Sequence, residues 1–197
     1  MLQSRLPEFV ASHYECHEWR HASAILSQDF PAEWADLMAL LAGFRLLKSW
    51  ITIGGGNKTR LAAHIDSFLG ARGWVEQQFH TAIEVDGTRK ATPTHKVDCY
   101  RNRIALELEW NNKDPFFDRD LNNFRLLFDL RAISVGVIIT RADSLQRIFD
   151  DLGRGSSYGM STTHMSKLLP RIEGGSGAGC PILVFGITPA LYVEDVP

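Results

Sequence analysis

Apolar residues recur at helical spacing from Phe30 to Leu47, where Ala35, Leu37, Met38, Leu40 and Leu41 form a wide stripe and Pro31 suits a first helical position. The run ITIGGGNKTR then breaks the period, because consecutive glycines disfavour helix and strand alike, and predicts a loop. A second amphipathic segment follows from Lys58 to Leu69, so the first third of the chain reads as helical. Through RGWVEQQF the chain passes into a strand-like TAIEV. Next come two β-prone runs, HKVDCY and RIALELEW, separated by Arg101 and Asn102, the length of a tight hairpin connection. Alternation in the second run puts Ala105, Glu107 and Glu109 on one face and Leu106, Leu108 and Trp110 on the other, the pattern of a half-buried strand.

Beyond the hairpin, Asp114 as N-cap and Pro115 at the first helical position predict a helix with Phe117, Leu121, Phe124 and Phe128 as its apolar stripe. ISVGVIIT reads as a strand buried on both faces, and ADSLQRIFDDL as a short helix. The tail holds a small-polar loop, GRGSSYGMSTTH, a helix through MSKLLPRI, a glycine loop GGSGAG and the apolar strand PILVFGI. No internal repeat or low-complexity linker interrupts this order. It predicts one α/β domain over residues 1–197 with a mixed sheet between helices, its helical N-terminal part covering about 1–70 and its core about 71–197.

With 197 residues, 45% of them hydrophobic, the chain can bury one good core. MLQSRLPEFV lacks the basic start and apolar run of a secretory signal, and LMALLAGF is too short to span a bilayer, so a soluble, cytoplasmic protein is expected. Cys16, Cys99 and Cys180 fit no CxxC spacing and are expected to be reduced residues of the core. A net charge of -2 supplies no global basic field, so any nucleic-acid face must come from local clustering.

The chemistry-bearing feature is acidic. Asp98 is followed nine residues on by Glu107 and two further on by Glu109. Hard cations used in phosphodiester hydrolysis want such oxygen ligands. The three carboxylates converge if the hairpin register places Asp98 on the face of the two glutamates. Paired acids on a strand are ordinarily its solvated face. Here, however, they interrupt an apolar run beside Trp110, and the polar Asn111, Asn112 and Lys113 that follow suit contact with a phosphate backbone.

The block HKVDCYRNRIALELEWNNKDPFFDRDLNNFRLLFDLRAISVGVIITR resembles the catalytic core of the BglII, BstYI and BamHI group of type II restriction endonucleases, within the PD-(D/E)xK nuclease superfamily; the likeness extends from about Glu15 to about Tyr192. It implies a restriction endonuclease-like α/β fold, a central mixed sheet flanked by α-helices, and Mg²⁺-dependent cutting of double-stranded DNA. Carried over residue by residue, Asp98 is the first acid and Glu107 the second, both metal ligands. Glu109 stands where the superfamily usually has lysine, as in BamHI-like enzymes, and Val97 replaces the motif's proline. A fourth group from before the hairpin completes such sites: Glu76 is the candidate, with Gln77 and Glu84 as alternatives. The implied chemistry is in-line attack by a metal-activated water, Glu109 or a phosphate oxygen taking the proton, with no covalent intermediate. The resemblance also implies a homodimer acting on a GATC-centred palindrome, 5′ overhangs, and a cognate DNA methyltransferase that protects the same site.

For reading bases, the helix after the strand offers Arg119, Asn122 and Asn123, arginine suiting guanine and asparagine adenine, although the same face serves equally as a solvated or dimer surface. The small-polar loop adds Ser156, Ser157, Ser161, Thr162 and His164 ahead of a helix N-terminus that favours anions; Lys58, Arg60 and Lys167 are candidates for backbone contact. Two other readings compete. His17, Glu18 and His21 spell H-E-x-x-H, which on a helix gives two zinc ligands and a base; His13 extends the stripe, Arg20 is unusual inside it, and a third ligand has to be an unmarked acid such as Glu33. The other is a non-catalytic DNA-binding protein that kept the nuclease fold, against which the intact acidic triplet speaks. GGGNKTR misses the phosphate-loop pattern because Asn57 precedes Lys58.

Overall fold

The computed structural model describes residues 2–53, 58–92 and 94–195; the predicted glycine loop falls largely on 54–57, outside them. The strands are β1 (Tyr14–Trp19), β2 (Leu46–Leu47), β3 (Val75–Gln77), β4 (Thr81–Val85), β5 (Thr88–Thr92), β6 (Val97–Arg101), β7 (Ile104–Glu109), β8 (Val135–Arg141), β9 (Ile182–Ile187) and β10 (Tyr192–Val193). The helices are α1 (Glu8–His13), α2 (Ala22–Asp29), α3 (Pro31–Gly43), α4 (Lys48–Thr52), α5 (Arg60–Gly70), α6 (Phe116–Asp129), α7 (Gln146–Asp151) and α8 (Met165–Glu173). Six strands form one mixed sheet in the order β1-β9-β8-β7-β6-β3, flanked by helices, which is the restriction endonuclease-like architecture. β7, β8 and β9 run parallel at its centre; β6 returns antiparallel to β7, and β1 antiparallel to β9.

The first third is therefore not all helical. YECHEW pairs along its whole length with β9, Tyr14 opposite Ile187 and Trp19 opposite Ile182, because an edge of β9 is available to it and six residues too short to nucleate a helix gain a full ladder there. This removes the zinc reading. Strand alternation sends His17 and Glu18 to opposite faces, Glu18 Oε2 is taken by the Ser23 amide (2.9 Å) and hydroxyl (2.6 Å), and His21 sits in a turn with φ 58°.

Other boundaries shift by a residue or more. The hairpin turn is Asn102–Arg103, not Arg101–Asn102: both have positive φ, 44° and 69°, as a two-residue turn needs to match strand twist. Pro115, not Asp114, caps α6, while Asp114 turns its carboxylate to Arg171 (3.6 Å) and Lys167 (4.0 Å) of α8. α3 begins at Pro31 as its sequence predicts but stops at Gly43, and Leu46–Leu47 pairs with β10 instead. All three cysteines are free thiols, Cys99 and Cys180 buried and Cys16 half-buried. Among the described residues no helix is long and apolar enough to cross a membrane.

Two apolar layers sandwich the sheet. One joins Leu106, Leu108 and Trp110 of the β7 region to α3 and α5; the other joins Ala105 to Phe117, Leu121 and Phe124 of α6 and to α8. β7 is buried at every residue, on both faces, so its glutamates are interior and not on a half-solvated face. α6 lies so close to the sheet that a Cβ on Gly136 of β8 would sit 2.4 Å from the Phe124 ring. A ring wedged between helix and sheet has little room to move. Gly136→Ala is expected to destabilise the fold by about 1–3 kcal/mol, measured by urea unfolding; wild-type stability would show that α6 can lift off the sheet at little cost.

Candidate active site

The β6–β7 ladder runs through Arg101–Ile104, Tyr100–Ala105 and Cys99–Leu106 and then ends. Past that point side chains replace the missing strand bonds: the Asp98 amide donates to Glu107 Oε2 (3.3 Å) and Asp98 Oδ2 accepts from the Leu108 amide (3.0 Å). The strands separate around these two carboxylates. Beside them opens a cleft of about 670 Å³, lined among others by Lys58, Asp66, Glu76, Asp98, Leu108 and Trp110. Lining it, Asp98 is partly desolvated, which raises its carboxyl above the usual range, against the lowering effect of the Leu108 amide.

Glu107 and Glu109, each 1% exposed, meet α6. Glu107 Oε1 lies 3.3 Å from His95 Nε2, which is also 3.2 Å from Asp120 Oδ1 on α6. Asp120 is fully buried and Arg119 grips its Oδ1 through Nε (3.0 Å) and Nη2 (2.9 Å). Glu109 is held by Asn112 Nδ2 (2.9 Å) and Arg119 Nη2 (3.4 Å), and the Arg119 guanidinium rests over the Phe116 ring. Glu107 Oε1, Asp120 Oδ2 and His95 Nε2 are buried without a well-aligned hydrogen bond among the described residues. Burial outweighs everything else at the glutamates, pushing Glu107 up to about 8 and Glu109 up to about 9, with the Asp120 charge adding to both. For His95 burial acts downward, but the contacts to Asp120 and Glu107 outweigh it and raise the ring to about 9. Acids crowded together without enough cation hold protons past neutrality, and a divalent ion is the obvious replacement for those protons.

Of the residues singled out from sequence, Asp98 and Glu107 are brought together at the strand separation, and Glu109 lies further along β7 against Asn112, Arg119 and Asp120. Glu76 is exposed on the edge strand β3, paired with Lys96 Nζ (2.8 Å), and lines the same cleft as Asp98. Gln77 is half-buried beside it, and Glu84 lies out on the β4–β5 hairpin. Asn112, Lys113, Asn122, Ser156, Ser157 and Ser161 are exposed, and Asn111 and Lys167 half-buried.

Three of the expected DNA contacts are interior instead. Asn123 is buried on the inner face of α6, where it donates to the His95 carbonyl (3.4 Å). Thr162 and His164 are buried against Arg141, which donates to Thr162 Oγ1 (2.9 Å), the Thr163 carbonyl (3.1 Å) and the Tyr158 carbonyl (2.7 Å). These contacts order the loop from within and leave neither side chain a surface to offer. The N-terminus of α8 is likewise occupied by the protein's own anion, Asp143, which accepts from the Ser166 amide (2.9 Å) and hydroxyl (2.6 Å). Arg119 remains partly exposed but is engaged by acids.

Sequence reasoning missed His95, Asp120 and Asp66. Asp120 and Asn123 did carry a signal: each falls beside the Phe117–Leu121–Phe124 stripe, where a polar residue is forced inward. Asp66 similarly follows Ile65 on the inner face of α5, and Lys58 pairs with it at the cleft.

The sequence model of a family described as Restriction endonuclease BglII/BglIII matches residues 14–187, most of the chain and every residue of the site just described. A search of curated proteins returned no match.

Protons held by Glu107, Glu109 and His95 make the metal-free fold pH-sensitive. The glutamates begin to lose stability above their ordinary value of 4.5 and finish near 8 and 9; the histidine's favourable contribution, complete below 6.5, is lost as pH rises through about 9. All three act in the same direction, by on the order of 1 kcal/mol per pH unit for each proton retained. The Tm of metal-free protein should therefore fall from pH 6 to 9, and added divalent cation should raise it more at pH 8 than at pH 6. A flat Tm profile without metal would refute the crowding of acids.

Proposed function

The chain belongs to the BglII/BglIII family of restriction endonucleases, DNA-cleaving hydrolases, and from that premise we propose that it is a Mg²⁺-dependent type II enzyme cutting a short GATC-centred palindrome to leave 5′ overhangs. The observation that carries the reading is the separation of β6 and β7 around Asp98 and Glu107. Their carboxylates bond each other's strands beside an open cleft that Asp98 lines, and Glu107 keeps one buried oxygen without a well-aligned hydrogen bond. That donor set, carboxylate oxygens in a partly desolvated place, fits a hard divalent cation.

Asp98 and Glu107 would hold the cation. When bound, Mg²⁺ supplies Lewis-acid stabilisation of charge developing on the phosphate and acidifies water beside it. Glu109, oriented by Asn112 and Arg119, holds its own proton past neutrality without metal and would be able to take one from water only once a bound cation has displaced it. Arg119, partly exposed next to it, offsets its charge. Glu76 stands at the cleft as the fourth group. Asn111, Asn112, Lys113, Asn122, Ser156, Ser157, Ser161 and Lys167 are the proposed DNA contacts, and Asn123, Thr162 and His164 support them from beneath. A palindromic site calls for a symmetric homodimer, and a host carrying the enzyme for a methyltransferase of the same specificity.

Incubation of unmethylated plasmid DNA with the protein and Mg²⁺ should give discrete fragments, abolished by EDTA. Asp98→Asn and Glu107→Gln should each slow cutting by more than about a hundredfold while retaining DNA binding in Ca²⁺. A smear would sink site specificity, and cleavage by either variant at the wild-type rate would remove that residue from the site.

A further inference from the structure

We propose that His95, Glu107 and Asp120 form a second divalent-cation site, beside the Asp98–Glu107 pair, which takes an imidazole-accepting ion such as Mn²⁺ or Zn²⁺ in preference to Mg²⁺. One ligand atom from each residue lies within 4.8 Å of the others, and the two separations from His95 Nε2 are 3.2 and 3.3 Å. Ions with ligand distances of about 2.0–2.1 Å place neighbouring ligand atoms about 3.0 Å apart in octahedral and about 3.4 Å apart in tetrahedral geometry. The observed spacings fall between these, while the same contacts are poorly aligned as hydrogen bonds.

The second observation is an orphaned oxygen aimed into the site. Glu107 is 1% exposed, yet its Oε1, the atom 3.3 Å from His95 Nε2, has no well-aligned hydrogen bond among the described residues. Native interiors rarely leave such an atom unsatisfied, because an unpaired buried acceptor is costly, so a missing ligand is the economical explanation. Arg119 does not fill the need: it bonds Asp120 Oδ1 and not Glu107 Oε1. Glu107 can serve both places, since Oε2 faces the Asp98 amide and Oε1 faces His95. Glu107 and Asp120 stand on rigid supports, β7 and α6, and Asn123 ties down the His95 backbone in the segment before β6. The His95 side chain, 23% exposed, is the way in. Imidazole sets the selectivity: Mg²⁺ is hard and keeps oxygen ligands, whereas Mn²⁺ and Zn²⁺ accept nitrogen.

Sharing Glu107, the site rests on the nuclease reading for its neighbour but not for its own occupancy, and the test reads binding without DNA. Mn²⁺ is titrated into metal-free protein in nitrogen-free buffer, with uptake followed by calorimetry and the ligands by the ¹⁴N modulation of the Mn²⁺ spin echo. Wild-type protein and Asp98→Asn should both show nitrogen coupling. His95→Gln should lose the coupling and one equivalent of Mn²⁺, and Asp120→Asn, close to isosteric and the safer variant should His95→Gln fold poorly, should weaken that equivalent at least about tenfold. Absence of nitrogen coupling in the folded wild type, or its survival in His95→Gln, overturns the site. Loss of coupling in Asp98→Asn means that one ion sits between all four residues, which also overturns it. Failure to cut DNA with these results intact would overturn the nuclease reading alone.

Discussion

Two carboxylates, Glu107 and Glu109, are carried into the interior by a strand whose neighbours bury both its faces. Ionised carboxylates in such a place are costly unless bonded or neutralised, so everything around them is arranged to answer that cost. β6 stops pairing with β7 so that the Asp98 amide can donate to Glu107; Arg119 reaches back from α6 to Glu109 and Asp120; Asn112 turns inward from the strand end. What remains unanswered, the orphaned oxygens and the raised proton affinities, is the part of the site that the proposed cation would satisfy.

The same constraint organises the chain downstream. The segment after β7 is tied to the loop before α8: the Asp114 amide donates to the Ser161 carbonyl, the Thr163 amide to the Asn112 carbonyl, and Lys113 forms a bridge with Thr162. Arg141, itself buried, anchors that loop through three oxygens. Asn112 thus belongs at once to the acid site, through Glu109, and to the polar loop that lies against it. A shift of the loop on DNA would be felt at Glu109 through two hydrogen bonds, without any longer path.

How much of this was readable in the linear chain depends on the range of the forces involved. Periodicity found β7, β8 and β9, the helix start at Pro31 and the α6 stripe, because each depends on residues a few positions apart. The Asp–Glu–Glu spacing and its likeness to a nuclease core pointed to the right hairpin. It did not reveal that Asp98 lies where the ladder has already ended, since that depends on which strand bonds are given up for side-chain ones. Nor did it reveal His95 or Asp120, whose nearness to Glu107 follows from α6 crossing β7.

By itself, then, the sequence determined the alternation of strand and helix, the acid triplet and the family. Local patterning and a recognisable order of residue types are enough for those. The tertiary structure decided three things. It made the H-E-x-x-H segment an edge strand, since an open edge on β9 outweighs a short helical pattern. It turned Asn123, Thr162 and His164 inward, since Arg141 and the His95 carbonyl needed partners. And it surrounded Glu107 with a histidine and a second carboxylate, since only packing of α6 on the sheet brings residues 95, 107 and 120 within reach of one ion.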